Sequence, residues 1–99
     1  MRKLENVLSD SMAQIEYYAS KAQSDLMSVD LVEGEVNTFC YDFEPDMFKW
    51  VTEEAVCDYF NDYCYEEIIA IEKEYGVAAT IEIDGDGTLI IGFDLTDCI

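Results

Sequence analysis

Four carboxylates recur at helical spacing in the middle of the chain. They stand at positions i, i+4, i+8 and i+12: Glu54, Asp58, Asp62 and Glu66. On an α-helix this spacing places all four on one face, with neighbours about 6 Å apart along the axis. Like charges four residues apart destabilise a helix by about 0.2–0.5 kcal/mol per pair. Negative groups at this interval can pair with a row of basic side chains, as the similarly spaced phosphates of one nucleic-acid strand do.

Further acidic residues surround this carboxylate row, and no Lys or Arg occurs between Trp50 and Glu72. Several tyrosines are interleaved with the acids, and exposed tyrosine beside charge is typical of binding surfaces. The residues predicted to contact a partner are Glu54, Asp58, Asp62, Glu66, Asp42, Glu44, Asp46 and Tyr65.

The sequence offers little for catalysis. It contains no His, so the commonest general base and the usual activator of a Ser or Cys nucleophile are missing. It has no Gly-rich loop of the phosphate-binding type, and 99 residues provide little wall for a cleft. We therefore predict that the protein is not an enzyme and uses no cofactor.

One acidic segment is similar to a calcium-binding loop. Residues 82–89 match the start of an EF-hand loop, with acids at the first, third and fifth positions and Gly at the sixth. The twelfth position, which needs a bidentate Glu, is Phe93, and residues 77–81 resemble a strand rather than a helix. The pattern predicts a β-hairpin turn at residues 84–87 and no metal site.

The cysteines indicate a reducing compartment. Because no apolar secretory segment follows Met1, we expect Cys40, Cys57, Cys64 and Cys98 to be reduced thiols in a cytoplasmic protein. Cys57 and Cys64 would lie about 10 Å apart along a helix, too far for a disulfide, and are predicted to be core residues. No apolar run reaches 18 residues, so no membrane span is predicted.

The carboxylate row requires a long helix, and hydrophobic periodicity predicts one over residues 45–75. Pro45 fits its first turn, and Gly76 fits the position just after its end. The predicted core stripe lies on the face opposite the row and contains Trp50, Cys57, Phe60, Cys64, Ile68, Ile71 and Tyr75.

A first helix is predicted over residues 5–27, with Ser9 or Asp10 as an alternative starting point. Its core face would contain Leu4, Leu8, Met12, Ile15, Ala19, Ala22 and Leu26. Two strands from Val29 to Phe43 would meet at a turn around Gly34, and residues 79–83 and 89–95 would form a hairpin. The predicted fold is one α+β domain over residues 1–99, two helices packed on an antiparallel sheet in the order α-β-β-α-β-β.

The charge balance is the most unusual property of the chain. With 23 acidic against five basic residues, its net charge is −18. Such a protein repels nucleic acid and anionic membranes, so we expect neither as a direct partner. A basic protein would be attracted and captured faster.

In size, charge, lack of His and acidic helix, the chain resembles the small DNA-mimic inhibitors of phages and mobile elements, which include anti-restriction and anti-CRISPR proteins. The resemblance is to this class, with no family motif matched, and is greatest over residues 42–86. It implies a stoichiometric inhibitor in the cytoplasm of a bacterial host. Its target would be the nucleic-acid-binding groove of a defence complex, a CRISPR-Cas effector first and a restriction enzyme next.

Two other functions fit the same charge. An immunity protein or antitoxin that caps a basic nuclease toxin uses the same electrostatics with one cognate partner. Alternatively, the acidic helix is only the solvated face of a regulatory or housekeeping module. Tight binding that survives high salt would indicate the former, and the lack of any tight basic partner would indicate the latter.

Overall fold

The computed structural model describes residues 4–28 and 30–97, with side chains from residue 11 onward. The described residues form α-helices, a short 3₁₀ helix and a three-stranded antiparallel sheet, so the predicted α+β class is confirmed. In chain order the elements are α1 (Leu4–Ser28), β1 (Val36–Asp42), the 3₁₀ helix Pro45–Lys49, α2 (Glu53–Tyr63), α3 (Tyr65–Tyr75), β2 (Ala79–Ile83) and β3 (Thr88–Asp94). The predicted order α-β-β-α-β-β is wrong at two places.

The sheet is built around β3. The strand order is β1-β3-β2, and both neighbours run antiparallel to β3. Leu89 of β3 lies opposite Tyr41 on one side and Ile83 on the other. Leu89, Ile91 and Phe93 are fully buried, as expected for alternate residues of a central strand that faces the helices. The predicted hairpin over β2 and β3 is confirmed.

The predicted first strand, which would begin at Val29 and end at the turn around Gly34, is wrong for its described part; Val29 itself lies outside the described residues. The side chain of Asn37 forms hydrogen bonds with both backbone polar groups of Val32. Its Oδ1 accepts from the Val32 N–H at 2.9 Å, and its Nδ2 donates to the Val32 carbonyl at 3.0 Å. A side chain that bonds the backbone locally competes with strand pairing, so residues 30–32 form a connection instead.

The predicted helix over residues 45–75 is wrong as one element because it is divided twice. Pro45–Lys49 is a 3₁₀ helix, and Thr52 has extended backbone. Thr52 Oγ1 accepts the Ala55 N–H at 3.1 Å, which makes Thr52 the N-cap of α2. The sequence carried this signal, since Thr followed by Glu53 and Glu54 is a common helix start.

The second division lies at Cys64, whose backbone has φ −102° and ψ 17°. Helical bonds flank it, since Cys64 N–H donates to the Phe60 carbonyl and Ile68 N–H donates to the Cys64 carbonyl, both at 2.9 Å. The thiol is fully buried and lies 3.7 Å from the Ala19 carbonyl oxygen. Gly76 ends α3 with φ 68°, as predicted.

The predicted core stripe of the second helix is correct in its centre and wrong at one end. Phe60, Cys64, Ile68 and Ile71 are buried, as predicted. Trp50 is 49% exposed because it precedes the cap at Thr52 and does not belong to α2. Cys57 and Tyr75 are only partly buried, and Val56, which the stripe omitted, is buried instead.

The first helix is continuous from Leu4, so a start at Ser9 or Asp10 is wrong. Its face toward the core contains Ile15, Ala19, Ala22 and Leu26, as predicted. Met12 is 43% exposed and does not belong to that face. The side chains of Leu4 and Leu8 lie outside the described part of the chain.

Helix α1 runs parallel to α2 and α3 on one face of the sheet. Ala19 contacts Cys64, and farther along Gln23 Nε2 donates to Glu67 Oε1. Because these pairs are separated by 45 and 44 residues, the two helical segments advance in the same direction. Tyr41 of β1 connects the layers, since its hydroxyl donates to Asp25 of α1 at 2.8 Å.

We expect Gly87→Ala to lower the free energy of unfolding by about 1–3 kcal/mol. Gly87 has φ 84°, and an added Cβ would lie 2.9 Å from the Phe43 carbonyl oxygen. The matched control is Gly85→Ala in the same turn, where a Cβ meets nothing within 4 Å. Urea denaturation should show the control unchanged or more stable by about 0.4–1 kcal/mol. Equal losses in both variants would contradict the proposed close approach.

Burial, and secondarily Glu67, raises the pKa of the Cys64 thiol from 9.0 to about 11. A pKa that is higher in the folded protein favours the neutral thiol on folding. The contribution of this pKa shift to the free energy of unfolding is therefore complete below pH 9 and is lost as the pH rises toward 11. We expect Cys64→Ala to lose less additional stability over that interval than the wild type in pH-dependent urea denaturation. A wild-type pH profile in Cys64→Ala would refute this assignment.

Candidate partner-binding surface

The four members of the carboxylate row are all exposed. Glu54 lies in the first turn of α2, Asp58 and Asp62 follow at one-turn intervals, and Glu66 lies in the first turn of α3. The row lies on the side of α2 opposite its buried residues, Val56 and Phe60. A basic partner could therefore reach the row without disturbing the core.

The interruption at Cys64 falls between Asp62 and Glu66. Regular spacing of about 6 Å therefore applies within α2, over Glu54, Asp58 and Asp62. Glu66 extends the row onto a second helix. No local signal predicts this division, since the segment from Asn61 to Ile68 contains neither Gly nor Pro.

Helix stability accounts for only half of the row. Carboxylates in the first turn of a helix are favourable because they face the positive end of its dipole. This explains Glu54 in α2 and Glu66 in α3. Asp58 lies in the middle of α2 with like charges four residues away on both sides, and Asp62 lies near the end of α2. Helix formation does not favour an acid at either position.

The structure joins two acidic segments that are far apart in sequence. Asp42, at the end of β1, accepts a hydrogen bond from Thr88 Oγ1 at 2.7 Å, and Phe43 N–H donates to the Gly87 carbonyl at 3.0 Å. The turn carrying Asp84 and Asp86 thus lies beside the end of β1. We call this surface the acidic end; it contains Asp42, Glu44, Asp46, Asp84 and Asp86, all exposed. Sequence reasoning found its members but could not place the turn beside β1.

Bases neutralise little of this charge. Among the side chains that the structure describes, the one ion pair is between Lys49 Nζ and Asp46 Oδ1, at 3.4 Å. Both side chains are largely exposed, so the pair contributes little to stability. Glu44 lies next to it, at the N-cap of the 3₁₀ helix, where its side chain makes no capping hydrogen bond.

Aromatic side chains border the row. Tyr65 is 56% exposed and Tyr63 is 40% exposed. The rings of Tyr59 and Tyr63 stack with centroids 5.9 Å apart. Partial burial, followed by the charge of Glu16, raises the pKa of Tyr59 above its usual value. Trp50, predicted to be core, is instead available at the surface before α2.

The cysteines form no disulfide among the described residues, where Cys40, Cys57 and Cys64 are free thiols. Cys98 lies outside that part of the chain. Burial, followed by the charges of Asp58 and Glu53, raises the pKa of Cys57. Among the side chains that the structure describes, no three of Cys, Asp or Glu are grouped to hold a metal ion. None of the described helices combines the length and apolarity needed to cross a bilayer.

A groove at the opposite end of the molecule was missed by sequence reasoning. It lies between the C-terminal ends of α1 and α3 and has a volume of about 320 Å³. Its acidic lining residues are Asp30, Glu67 and Glu74. Glu67, Ala70 and Glu74 share one face of α3 at helical spacing, but only the parallel packing of α1 makes that face one wall of a groove.

Scans of family models, of curated proteins and of solved structures each find no match to this chain.

We expect Asp58→Asn to raise the free energy of unfolding by about 0.4–1 kcal/mol at low salt, because it removes two like-charge pairs. In ~1 M salt, where the Debye length is about 3 Å, the gain should nearly vanish. Glu54→Gln is the control: it removes one repulsive pair and one favourable first-turn charge, so its stability should change less. A destabilised Asp58→Asn variant would show that Asp58 serves folding and would remove the reason to assign it to binding.

Proposed function

We propose that the protein is a stoichiometric inhibitor that mimics nucleic acid and occupies the nucleic-acid-binding groove of a basic protein or complex. The observation that carries this proposal is the pair Asp58 and Asp62. Both are exposed, in a helix that contains no base, at positions where helix formation does not favour acids. A side chain that costs stability at the surface requires a reason outside folding, and a binding role supplies one.

The mechanism is competition for cationic side chains. A nucleic-acid groove binds phosphates with Lys and Arg, and this binding is driven largely by the release of counterions. The carboxylate row offers acceptors of the same sign, and Tyr65 adds an amphipathic contact at its far end. The acidic end extends the negative surface beyond the start of α2. Binding to the target should weaken steeply as salt rises, as it does for the nucleic acid that is displaced.

The preferred target is a CRISPR-Cas effector of a bacterial host, followed by a restriction enzyme. Both expose basic grooves that must accept nucleic acid before they can act. Such an inhibitor acts in the host cytoplasm, where these complexes work. It needs no cofactor, does no chemistry and binds neither nucleic acid nor membrane itself, because its own charge repels both.

The charge-reversal variant Glu54→Lys with Asp58→Lys should bind its target ~100-fold more weakly, because two attractive contacts become repulsive. The measurement is displacement of labelled DNA or RNA from the purified target by increasing amounts of inhibitor. Circular dichroism and urea denaturation should show that the variant remains folded, since both positions are exposed.

The matched control for this test is Glu35→Lys with Asp97→Lys, which changes the net charge equally. Both residues are exposed and lie near the start of β1 and the end of β3, away from the start of α2. This control should lose only the small amount of affinity that follows from net charge. Equal loss of affinity in both variants would show that only the net charge matters. If the row variant still displaced nucleic acid from the target, the mimic proposal would be wrong.

A second candidate function is that of an immunity protein or antitoxin for a basic nuclease toxin. The observation that favours it is the set of exposed aromatic side chains, Trp50, Tyr63 and Tyr65, because such residues dominate tight interfaces with a single partner. A pull-down from host lysate, eluted with a salt gradient, separates the candidates. A nucleic-acid-processing complex released by moderate salt and by added DNA supports the mimic, whereas one small toxin retained at high salt supports the antitoxin.

A further inference from the structure

We propose that the groove between the C-terminal ends of α1 and α3 receives an arginine side chain of the basic partner. This inference rests on the proposed function, in that it presumes capture of a basic protein, but it concerns a surface separate from the carboxylate row. The row begins at the start of α2, and the groove lies at the far end of α3.

The floor and the wall of the groove have different chemistry. Leu26, Leu31 and Ile71 supply apolar surface, and Asp30, Glu67 and Glu74 supply carboxylates. No basic residue occurs among the described residues that line it. An apolar floor under carboxylates matches a side chain with an aliphatic stem and a cationic head. A volume of about 320 Å³ is at the lower limit of ligand pockets and is suited to one long side chain.

The helices increase the attraction for a cation. Because α1 and α3 run parallel, their negative C-terminal ends lie at the same end of the molecule. The last turn of α1 contains no base, and that of α3 contains only Lys73, which is exposed and does not line the groove. Acids rather than bases therefore accompany these two helix ends, the reverse of the arrangement that stabilises helices.

The carboxylates around the groove affect neighbouring groups, and one of them is held by a hydrogen bond. Burial, and then the charges of Glu74 and Glu33, raises the pKa of the Tyr75 hydroxyl. Glu67 has a defined orientation, since its Oε1 accepts a hydrogen bond from Gln23 Nε2 across the helix pair. Glu67 therefore presents one fixed carboxylate edge, while Asp30 and Glu74 are exposed at the rim.

These features favour arginine over lysine. A guanidinium is planar, carries five donors and is less strongly hydrated than an ammonium, so it tolerates an apolar floor and can serve several carboxylates at once. An ammonium would have to give up more hydration to occupy the same space.

The test uses N-acetyl-arginine methylamide, with the lysine analogue for comparison, titrated into ¹⁵N-labelled protein at low salt. We expect the arginine analogue to cause saturating amide shifts confined to residues around Leu31 and Ile71. The lysine analogue should bind at least threefold more weakly. Shifts spread over all acidic segments without saturation, or equal binding of both analogues, would overturn the inference.

Two variants test the groove itself. Asp30→Asn with Glu74→Gln should weaken binding of the arginine analogue roughly fivefold, because two exposed charges are removed. Ala70→Leu keeps every charge and a good helix former but fills the groove, and should abolish the saturating shifts. The control Glu82→Gln with Asp97→Asn removes the same charge elsewhere and should bind like the wild type. Wild-type binding by either groove variant would refute the site.

The two proposals can fail independently. If the row variant loses inhibition but the arginine analogue never saturates, the mimic stands and the groove inference is wrong. If the analogue binds in the groove as expected while the row variant still displaces nucleic acid, the groove stands and the mimic is wrong.

Discussion

The layered arrangement depends on the packing around Phe60. This fully buried side chain of α2 lies against Tyr41 and Phe43, with ring centroids 6.1 and 6.0 Å apart. Tyr18 of α1 packs edge-on against Phe43 at 5.1 Å, so one aromatic cluster joins both helical segments to β1. A chain of net charge −18 repels itself, and burial of large apolar rings is the term that offsets this repulsion. The exposed acids lie on elements that this cluster packs together.

Some of the acidic side chains take part in the fold through hydrogen bonds, and others do not. Glu72 is partly buried and its Oε2 accepts the Ala79 N–H at 2.8 Å, which holds the start of β2 against the end of α3. Asp84 similarly shapes its turn, because its Oδ1 accepts N–H groups of Asp86 and Thr88. Asp58 and Asp62 have no such structural partner among the described hydrogen bonds. The distinction matters because a high acid count alone can reflect solubility, whereas unfavourable acids at regular spacing need a separate explanation.

Local signals in the sequence were sufficient for elements defined by their own residues. The alternation of apolar and polar residues predicted the β2–β3 hairpin, and Gly76 predicted the end of α3. The errors arise where a side chain outside the predicted element contacts it. Residues 30–32 are apolar enough for a strand, but Asn37 bonds Val32 locally. Cys64 interrupts the helix without Gly or Pro, in contact with Ala19, which is 45 residues away. Most of the row could be predicted because Glu54, Asp58 and Asp62 lie in a single helix. The groove could not be predicted, because it depends on the relative direction of α1 and α3.

The molecule has two negative surfaces of different kinds. The carboxylate row is open, regular and exposed, so it suits many cations held loosely at once, as a phosphate backbone does. The groove is single and partly apolar, with one carboxylate oriented by Gln23, so it suits one cationic side chain held in one orientation. Long-range attraction speeds encounter, whereas a fixed local contact determines alignment and slows release. In the proposed inhibitor, the row would speed capture of a basic groove and the arginine contact would fix the position at which it is held.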